Sequence, residues 1–584
     1  MHARSIAMLD GWTDDEFEVL RSPWLLWGHF ALTCVLFVVA GVCQWLRSGP
    51  EVPNSVGFFH PFTSDGGGGE RVLWCAVREI QRARPDCQCV IYTGDDASGE
   101  ELARRAKERF GVELRTVPGV VKLRWRDLVV PERYPVLTMV GQAIGGALLT
   151  AEAVTSYRPT VFFDTVGHAF GYPVARLAGC VVACYVHYPT ISSDMIARVA
   201  TRSDMYNNRS IVARFWLLSA LKLAYYRLFA VAYGWCGRYA TCVAANSSWT
   251  AAHLRRLWRV DRIRVVYPPC DVAGLTDFSL SDRSGWGRST GVQGGEGGVQ
   301  GVEGGVQGVE RVEANERVEG VEGGGGNGDG PYLVSVGQFR PEKDHALQLR
   351  AWAKMRADER DATTPSVPPN ARLKIVGGCR NEGDERRLDA LRSLTKDLGV
   401  DDSVEFHVDV PYARLRELLG GAAAGVHTML DEHFGICVVE YMAAGAVPIA
   451  HDSAGPAMDI VVPAVRPEAS EGDDESPNDG PSGDDVARLP VGFLATTVDG
   501  YADAMWAALS MTDDERVTMA TLARARANAF GEGKFNGAFL DAVAPALASL
   551  AVDRRDAILE AAGVRTRGPH GVVSPAGGPR RRRG

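Results

Sequence analysis

At 584 residues the chain is too long for one ordinary domain, and a composition of 46% hydrophobic and 23% charged residues is that of a globular protein. A net charge of -9 gives no reason to expect nucleic acid as a partner. The twelve cysteines form no Cys-x-x-Cys pair; the closest, Cys87/Cys89 and Cys180/Cys184, fall in apolar runs. They read as reduced core residues rather than a zinc or disulfide framework, which favours a folded part facing the cytosol.

After an N-terminal tail (1–23), residues 24–46 form an uncharged stretch of 23 residues, WLLWGHFALTCVLFVVAGVCQWL. That exceeds the ~20 needed for a helix to cross a bilayer, so a transmembrane anchor is expected. A cleaved signal peptide is the alternative, but its apolar core is typically ~7–15 residues and follows basic residues. Here Asp14, Asp15, Glu16 and Glu18 precede the stretch. Arg4, Arg21 and Arg47 are too few to settle orientation.

From 52 to 278 strand-like runs such as SVGFFH, CVIYTGD, TVFFDTV and VVACYVHYP alternate with helical stretches, the pattern of a mostly parallel α/β domain. Within it, residues 213–235 mix Phe215, Trp216, Leu217, Tyr225, Tyr226 and Phe229 with Arg214, Lys222 and Arg227. Such a segment suits a membrane surface, where its cations snorkel, and equally an ordinary core helix. Residues 279–330, with their Gly-Val-Gln and Gly-Val-Glu units, offer too little apolar surface to repay ordering and are expected to be a disordered linker. A second α/β domain is expected from 331 to 550, interrupted by an acidic disordered insertion at 468–485, before a tail (551–584) that ends in Arg580 to Arg583.

Three constellations carry chemistry. In FFHPFTSDGGGGERVLW a strand ends at His60 and Gly66 to Gly69 lead into a helix beginning near Glu70. Exposed N–H groups at such a helix start attract phosphate, although a tight turn also explains the glycines. No Gly-Lys-Ser/Thr follows, and Arg71 stands where a dinucleotide fingerprint needs its last glycine, so ATPase and simple dehydrogenase readings weaken. In GQFRPEKD, Gly337 to Asp344, Arg340 and Lys343 are three apart on a turn after a strand. That spacing aims two cations at one point, as a departing pyrophosphate requires, where isolated they would pass for surface cations. In DEHFGICVVEYMAAG, Glu432 lies in a loop and Glu440 in the following helix, with Phe434 and Gly435 between them shaping a narrow pocket. Carboxylates so placed accept hydrogen bonds from sugar and ribose hydroxyls, although Glu440 alone also fits a partner of the helix dipole.

The Glu-x7-Glu element with the upstream Arg/Lys turn resembles the retaining nucleotide-sugar glycosyltransferases of the GT-B fold: α/β, two Rossmann-like domains facing a cleft, here with an N-terminal transmembrane helix. HPFTSDGGGGERVLW, DTVGHAFGYPVARL, CYVHYPTISSDM, ANSSWT, YPPCDV, SVGQFRPEKDH, VGGCRNEGDE and DEHFGICVVEYMAAG are similar, more closely, to the eukaryotic endoplasmic-reticulum α-1,2-mannosyltransferases acting on dolichol-pyrophosphate-linked oligosaccharide. The resemblance covers nearly all of 55–465 outside the Gly/Val/Glu insertion. It implies that Arg340 and Lys343 bind the GDP phosphates, Glu440 the ribose, and Glu432 with Phe434 and Gly435 the donor mannose. It places Gly337 in the donor site, and Gly68 and Gly69 where donor and acceptor meet. His187, at a strand end in CYVHYPT, would sit across the cleft near the mannose, although a lone histidine there is more often structural. The sequence departs from the family at FTSD and in both insertions.

The implied reaction adds the fourth and fifth mannoses from GDP-mannose with retained configuration, by double displacement or same-face attack. The chain has no Asp-x-Asp, so no metal is expected. Because GDP-mannose is cytosolic, the catalytic domains are expected on the cytosolic face of the endoplasmic-reticulum membrane, among other enzymes of lipid-oligosaccharide assembly. The sequons at Asn208 and Asn246 then stay unused. Competing readings keep the fold with another glycolipid acceptor, or make the chain a non-catalytic membrane scaffold.

Overall fold

The alternating apolar runs become two parallel sheets, each covered by helices. The structure, a computed structural model, describes residues 23–64, 66–196, 216–280, 330–358, 367–465 and 488–552. Most of the Gly/Val/Glu linker, the acidic insertion and nearly all of both tails lie outside the described residues, as does Asn208.

The chain divides into two units, 1–269 with 532–584, and 270–531. The first begins with helix α1 (Pro23–Leu46). It continues through β1 (Glu51–Phe59), α2 (Gly68–Ala83), β2 (Gln88–Thr93), α3 (Gly99–Phe110), β3 (Gly119–Lys122), α4 (Thr138–Ser156) and β4 (Arg158–Asp164). It then runs through α5 (Tyr172–Ala178), β5 (Val181–Val186), α6 (Trp216–Gly237), β6 (Cys242–Ala245), α7 (Ser248–Trp258) and β7 (Ile263–Val265). Every strand pair is parallel, in the order β3-β2-β1-β4-β5-β6-β7. Strand order reverses beside β1, so the loops after β1 and β4 diverge and leave a crevice at the C-terminal edge, where such sheets hold ligands.

The second unit has its own six-stranded sheet. Its elements are β8 (Tyr332–Val336), α8 (His345–Ala357), β9 (Arg372–Gly377), α9 (Glu382–Asp397), β10 (Val404–Val408), α10 (Tyr412–Gly420) and β11 (Ala424–Val426). They continue with α11 (Ile436–Ala444), β12 (Val447–His451), β13 (Phe493–Ala495), α12 (Val498–Ser510) and α13 (Asp513–Ala527). The order β10-β9-β8-β11-β12-β13 reverses between β8 and β11. The loops after those two strands carry the Arg/Lys turn and the first glutamate of the Glu-x7-Glu element.

One boundary differs from the sequence reading. The last long helix, α14 (Glu532–Leu547), belongs to the first unit rather than to a domain ending at 550. Its stripe of Phe535, Phe539, Ala542, Val543 and Ala546 follows helical spacing and is buried with Val56, Phe58 and Trp74. Phe539 meets Phe163 of β4 with ring centroids 5.7 Å apart, and Arg78 pairs with Glu532 at 2.7 Å.

Helix α1 has 24 residues without a charged side chain, and of its described side chains Phe37, Val38, Val39, Val42 and Trp45 are exposed. Only part of its side chains are among the described residues; within those, no helix is long and apolar enough to cross a membrane. Helix α6 is buried along one side and exposed along the other. Tyr226, Phe229, Ala230, Tyr233 and Cys236 are buried, while Leu221, Leu228, Val231 and Trp235 face outward. Asn246 is buried after β6. Truncating the tail helix by Phe539→Ala should destabilise the first unit by about 3–5 kcal/mol, read as an earlier denaturant midpoint of the detergent-solubilised chain.

Candidate active site

In the second unit the chemistry converges on one carboxylate. Lys343 leaves the turn after β8 and its ammonium donates to Glu432 Oε2 at 2.6 Å. His427, the first residue after β11, places Nε2 3.1 Å from the same oxygen. The backbone enforces this meeting: Thr428 Oγ1 donates to the carbonyl of Lys343 at 2.8 Å and accepts from Gln348 at 2.9 Å. Tyr501 holds the His427 carbonyl at 2.9 Å, and the Gly455 N–H holds that of Glu432 at 2.9 Å.

The glycines here have separate reasons. Gly435 sits at φ 103°, a left-handed conformation that opens α11 and that a side chain would strain. A Cβ at Gly377 would stand 2.2 Å from the carbonyl oxygen of Gly337, so the β9 end must be bare for the β8 loop to pass. Gly337 has ordinary room, and the stem of Lys343 lies 3.5 Å from where its Cβ would be.

Burial of the Glu432 carboxyl would raise its pKa, but Lys343 and His427 hold it well below the usual carboxylate range. Burial would likewise lower Lys343, and Glu432 more than offsets this, leaving the ammonium raised. His427 follows the same logic: burial opposes its charge, yet Cys437 and Glu432 lift it from 6.5 to about 9. The cluster is therefore two cations around one anion at neutral pH. Arg340 adds a third cation, 3.7 Å from Glu342, and among the described residues its Nε is buried without a hydrogen bond. The first turn of α11 has no side-chain cap, so its N–H groups add positive potential.

The other expected donor residues are placed less uniformly. Glu440 lies half-buried in α11, one helical turn and a half along from Gly435. Phe434 is buried edge-on against Phe530, centroids 5.5 Å apart, and braces the loop.

In the first unit α2 begins at Gly68, two residues earlier than the sequence reading, so Gly68 and Gly69 are its first turn. No side chain caps it, while the Gly66 N–H donates to Glu70 Oε1 at 2.5 Å. His187 follows β5 and its Nε2 lies 3.5 Å from where a Gly69 Cβ would stand, so these two expected residues meet. The Phe-Thr-Ser segment before the glycines is fixed by Asp95 at the end of β2. One carboxylate oxygen accepts from the Thr63 N–H at 2.6 Å and from the Thr63 and Ser64 hydroxyls at 3.0 Å each. Its other oxygen pairs with Arg126.

Residues 53–258 match the family described as ALG11 mannosyltransferase N-terminus, and residues 322–471 match Glycosyl transferases group 1. A Mus musculus protein named GDP-Man:Man(3)GlcNAc(2)-PP-Dol alpha-1,2-mannosyltransferase is 40% identical over 488 residues, covering 83% of this chain and 85% of its own. The Homo sapiens protein of the same name is 38% identical over 539 residues, covering 90% and 96%. The chain belongs to the ALG11 mannosyltransferase family. Two solved structures, the Candida albicans trehalose-6-phosphate phosphatase N-terminal domain and OtsA in its apo form, are alike with TM-scores of 0.52 and 0.51 at 9% identity. They cover 85% and 84% of this chain and 97% and 99% of their own, and support the GT-B-like α/β fold alone. The ALG11 match spans the glycine loop and His187; the second match spans Arg340, Lys343, Glu432 and Glu440.

Sequence reasoning passed over His427, Thr428 and Asp95 in this ALG11-family chain. The available signal was position, since His427 and Asp95 both stand just beyond a parallel strand's C-terminal end. Because the folded pKa of His427 is raised, its charge contributes stability that is complete below about pH 6.5 and lost as pH rises through about 9. Unfolding followed across that window should show wild-type stability falling, and a His427→Gln variant should be less stable at the acid end with a flatter profile.

Proposed function

We propose that this chain transfers mannose from GDP-mannose, in α-1,2 linkage, onto dolichol-pyrophosphate-linked oligosaccharide, adding the fourth and fifth mannoses of the N-glycan precursor. The observation that carries the site assignment is the Lys343–Glu432–His427 cluster at the β8/β11 switch point, 2.6 and 3.1 Å across its contacts. It accompanies kinship at 40% identity with a GDP-Man:Man(3)GlcNAc(2)-PP-Dol alpha-1,2-mannosyltransferase.

In this reading Lys343 and Arg340 bind the GDP diphosphate, whose charge grows as the anomeric bond breaks. Arg340, with its Nε lacking a hydrogen bond among the described residues, has donor capacity to spare. Glu432 with Gly435 orients the donor mannose, braced by Phe434, and Glu440 the ribose; Gly337 gives Lys343 its path. Gly68, Gly69 and His187 serve the reacting sugar. An acceptor mannose 2-hydroxyl attacks the anomeric carbon, its proton passing to a leaving phosphate oxygen, and GDP departs. Glu432 is held between two cations, which weakens it as a nucleophile, so the reading gives it no covalent role. No metal is invoked, consistent with the lack of Asp-x-Asp in the sequence.

The uncharged α1 serves as a transmembrane anchor in the endoplasmic-reticulum membrane, and the outward apolar side of α6 rests on the same bilayer, with catalysis on the cytosolic face. The buried Asn246 fits an unmodified sequon. Incubating the solubilised protein with GDP-mannose and dolichol-pyrophosphate-linked acceptor carrying three mannoses should add two hexoses to the released glycan, with or without chelator. Lys343→Ala should lower kcat about 10²–10³-fold. No hexose gain despite intact GDP binding would sink the acceptor assignment.

A further inference from the structure

The first unit has a second polar recess that the transfer reaction does not use. A pocket of about 330 Å³ is lined by Arg176, Arg238, Tyr239, Ala240, Thr241 and Arg262. Thr241 and Arg262 immediately precede β6 and β7, whereas His60 and His187 immediately follow β1 and β5. All these strands are parallel, so the pocket lies at the N-terminal edge of the sheet, opposite the glycine loop and His187.

Its three guanidiniums are held by main-chain oxygens. Arg238 Nε donates to the Trp258 carbonyl at 3.0 Å, and Arg262 donates to the Ala240 and Arg238 carbonyls at 2.8 and 2.5 Å. Arg176 makes a single 3.4 Å contact with the Cys180 carbonyl. Among the described residues no acidic side chain lines the pocket; Asp261, next to Arg262 in sequence, is not among its walls. Among the described residues none of the three forms an ion pair. Each guanidinium carries five N–H donors, so most of them remain available to an anion. Helix C-termini attract arginines, and α6 ends here at Gly237, but that attraction does not require three guanidiniums around one recess.

The surroundings indicate where the anion resides. Tyr239 meets Trp235 edge-on at 5.0 Å, and Trp235 continues the outward apolar strip of Leu221, Leu228 and Val231 on α6. Leu177, beside Arg176, is exposed, and its carbonyl accepts from Arg47 Nε at 3.0 Å. Arg47 is the first residue beyond the apolar α1, so a fourth guanidinium reaches the neighbourhood from that helix. An apolar strip, a Trp/Tyr pair and clustered arginines in succession match the layers of a bilayer leaflet from acyl chain to phosphate.

We infer that this pocket binds the phosphate headgroup of an anionic membrane lipid, seating the first unit on the bilayer; this rests on the membrane association of α1 and α6 proposed above. The full chain in neutral detergent is offered short-chain phosphatidic acid, short-chain phosphatidylcholine or inorganic phosphate, and adducts are counted by native mass spectrometry. The expected result is a one-to-one phosphatidic acid adduct, little retention of phosphatidylcholine, and binding weakened about five-fold in Arg176→Gln and again in Arg262→Gln. Mannosyl transfer in detergent by Arg176→Gln should remain at the wild-type level, showing an intact fold. Equal phosphatidic acid retention by wild type and both variants overturns the site. Inorganic phosphate that binds as tightly as phosphatidic acid overturns the lipid assignment in favour of a soluble anion. Failure of the underlying membrane reading appears separately, as release of the wild-type chain from cell membranes by alkaline carbonate.

Discussion

The carboxylate of Glu432 imposes the tightest constraint in the second unit. Taking a carboxylate out of water costs several kcal/mol unless cations replace the lost hydration. Here Lys343 and His427 converge on one of its oxygens, and the other accepts from the His433 N–H at 3.1 Å. These partners come from two stretches of chain, so the loop after β8 and the one joining β11 to α11 must be held together. The left-handed Gly435, the bare Gly377 and the hydroxyl of Thr428 answer that demand. Loss of any cation would leave buried charge uncompensated, and the geometry of the site is therefore tied to its stability.

An analogous arrangement in the first unit uses a different carboxylate. Asp95 draws the residues before the four glycines onto the end of β2, and Glu70 holds Gly66 from the other side. The first turn of α2 carries no side-chain cap, and His187 approaches it at Gly69. Thr63 and Ser64, from the segment just before the glycines, are the residues that Asp95 binds.

The exterior of the same unit is arranged along a polarity gradient rather than around a single residue. Helix α6 inserts Phe229 and Tyr233 into the core and turns Leu228, Val231 and Trp235 outward. The arginine pocket lies at the opposite end of the parallel strands from the glycine loop.

Period and composition alone marked the two α/β series, the uncharged 24–46 stretch and the loops bearing the glycines, the Arg/Lys turn and the Glu-x7-Glu element. These were legible because strand–loop–helix alternation is a local property, and because phosphate and sugar chemistry needs recognisable residue types at short spacing. Tertiary structure decided which of them touch. His427 looks like any strand-end histidine until β11 is placed beside β8 and its ring reaches the oxygen that Lys343 already holds. Phe434, which the sequence offered to the pocket, is buried with its ring edge-on to Phe530. The helix at 532–547 belongs with the first unit because its phenylalanine stripe fits the face of β1 and β4, a match between surfaces far apart in the chain. Local pattern fixes what each segment can do, whereas long-range packing and the cost of burying charge select the contacts it makes.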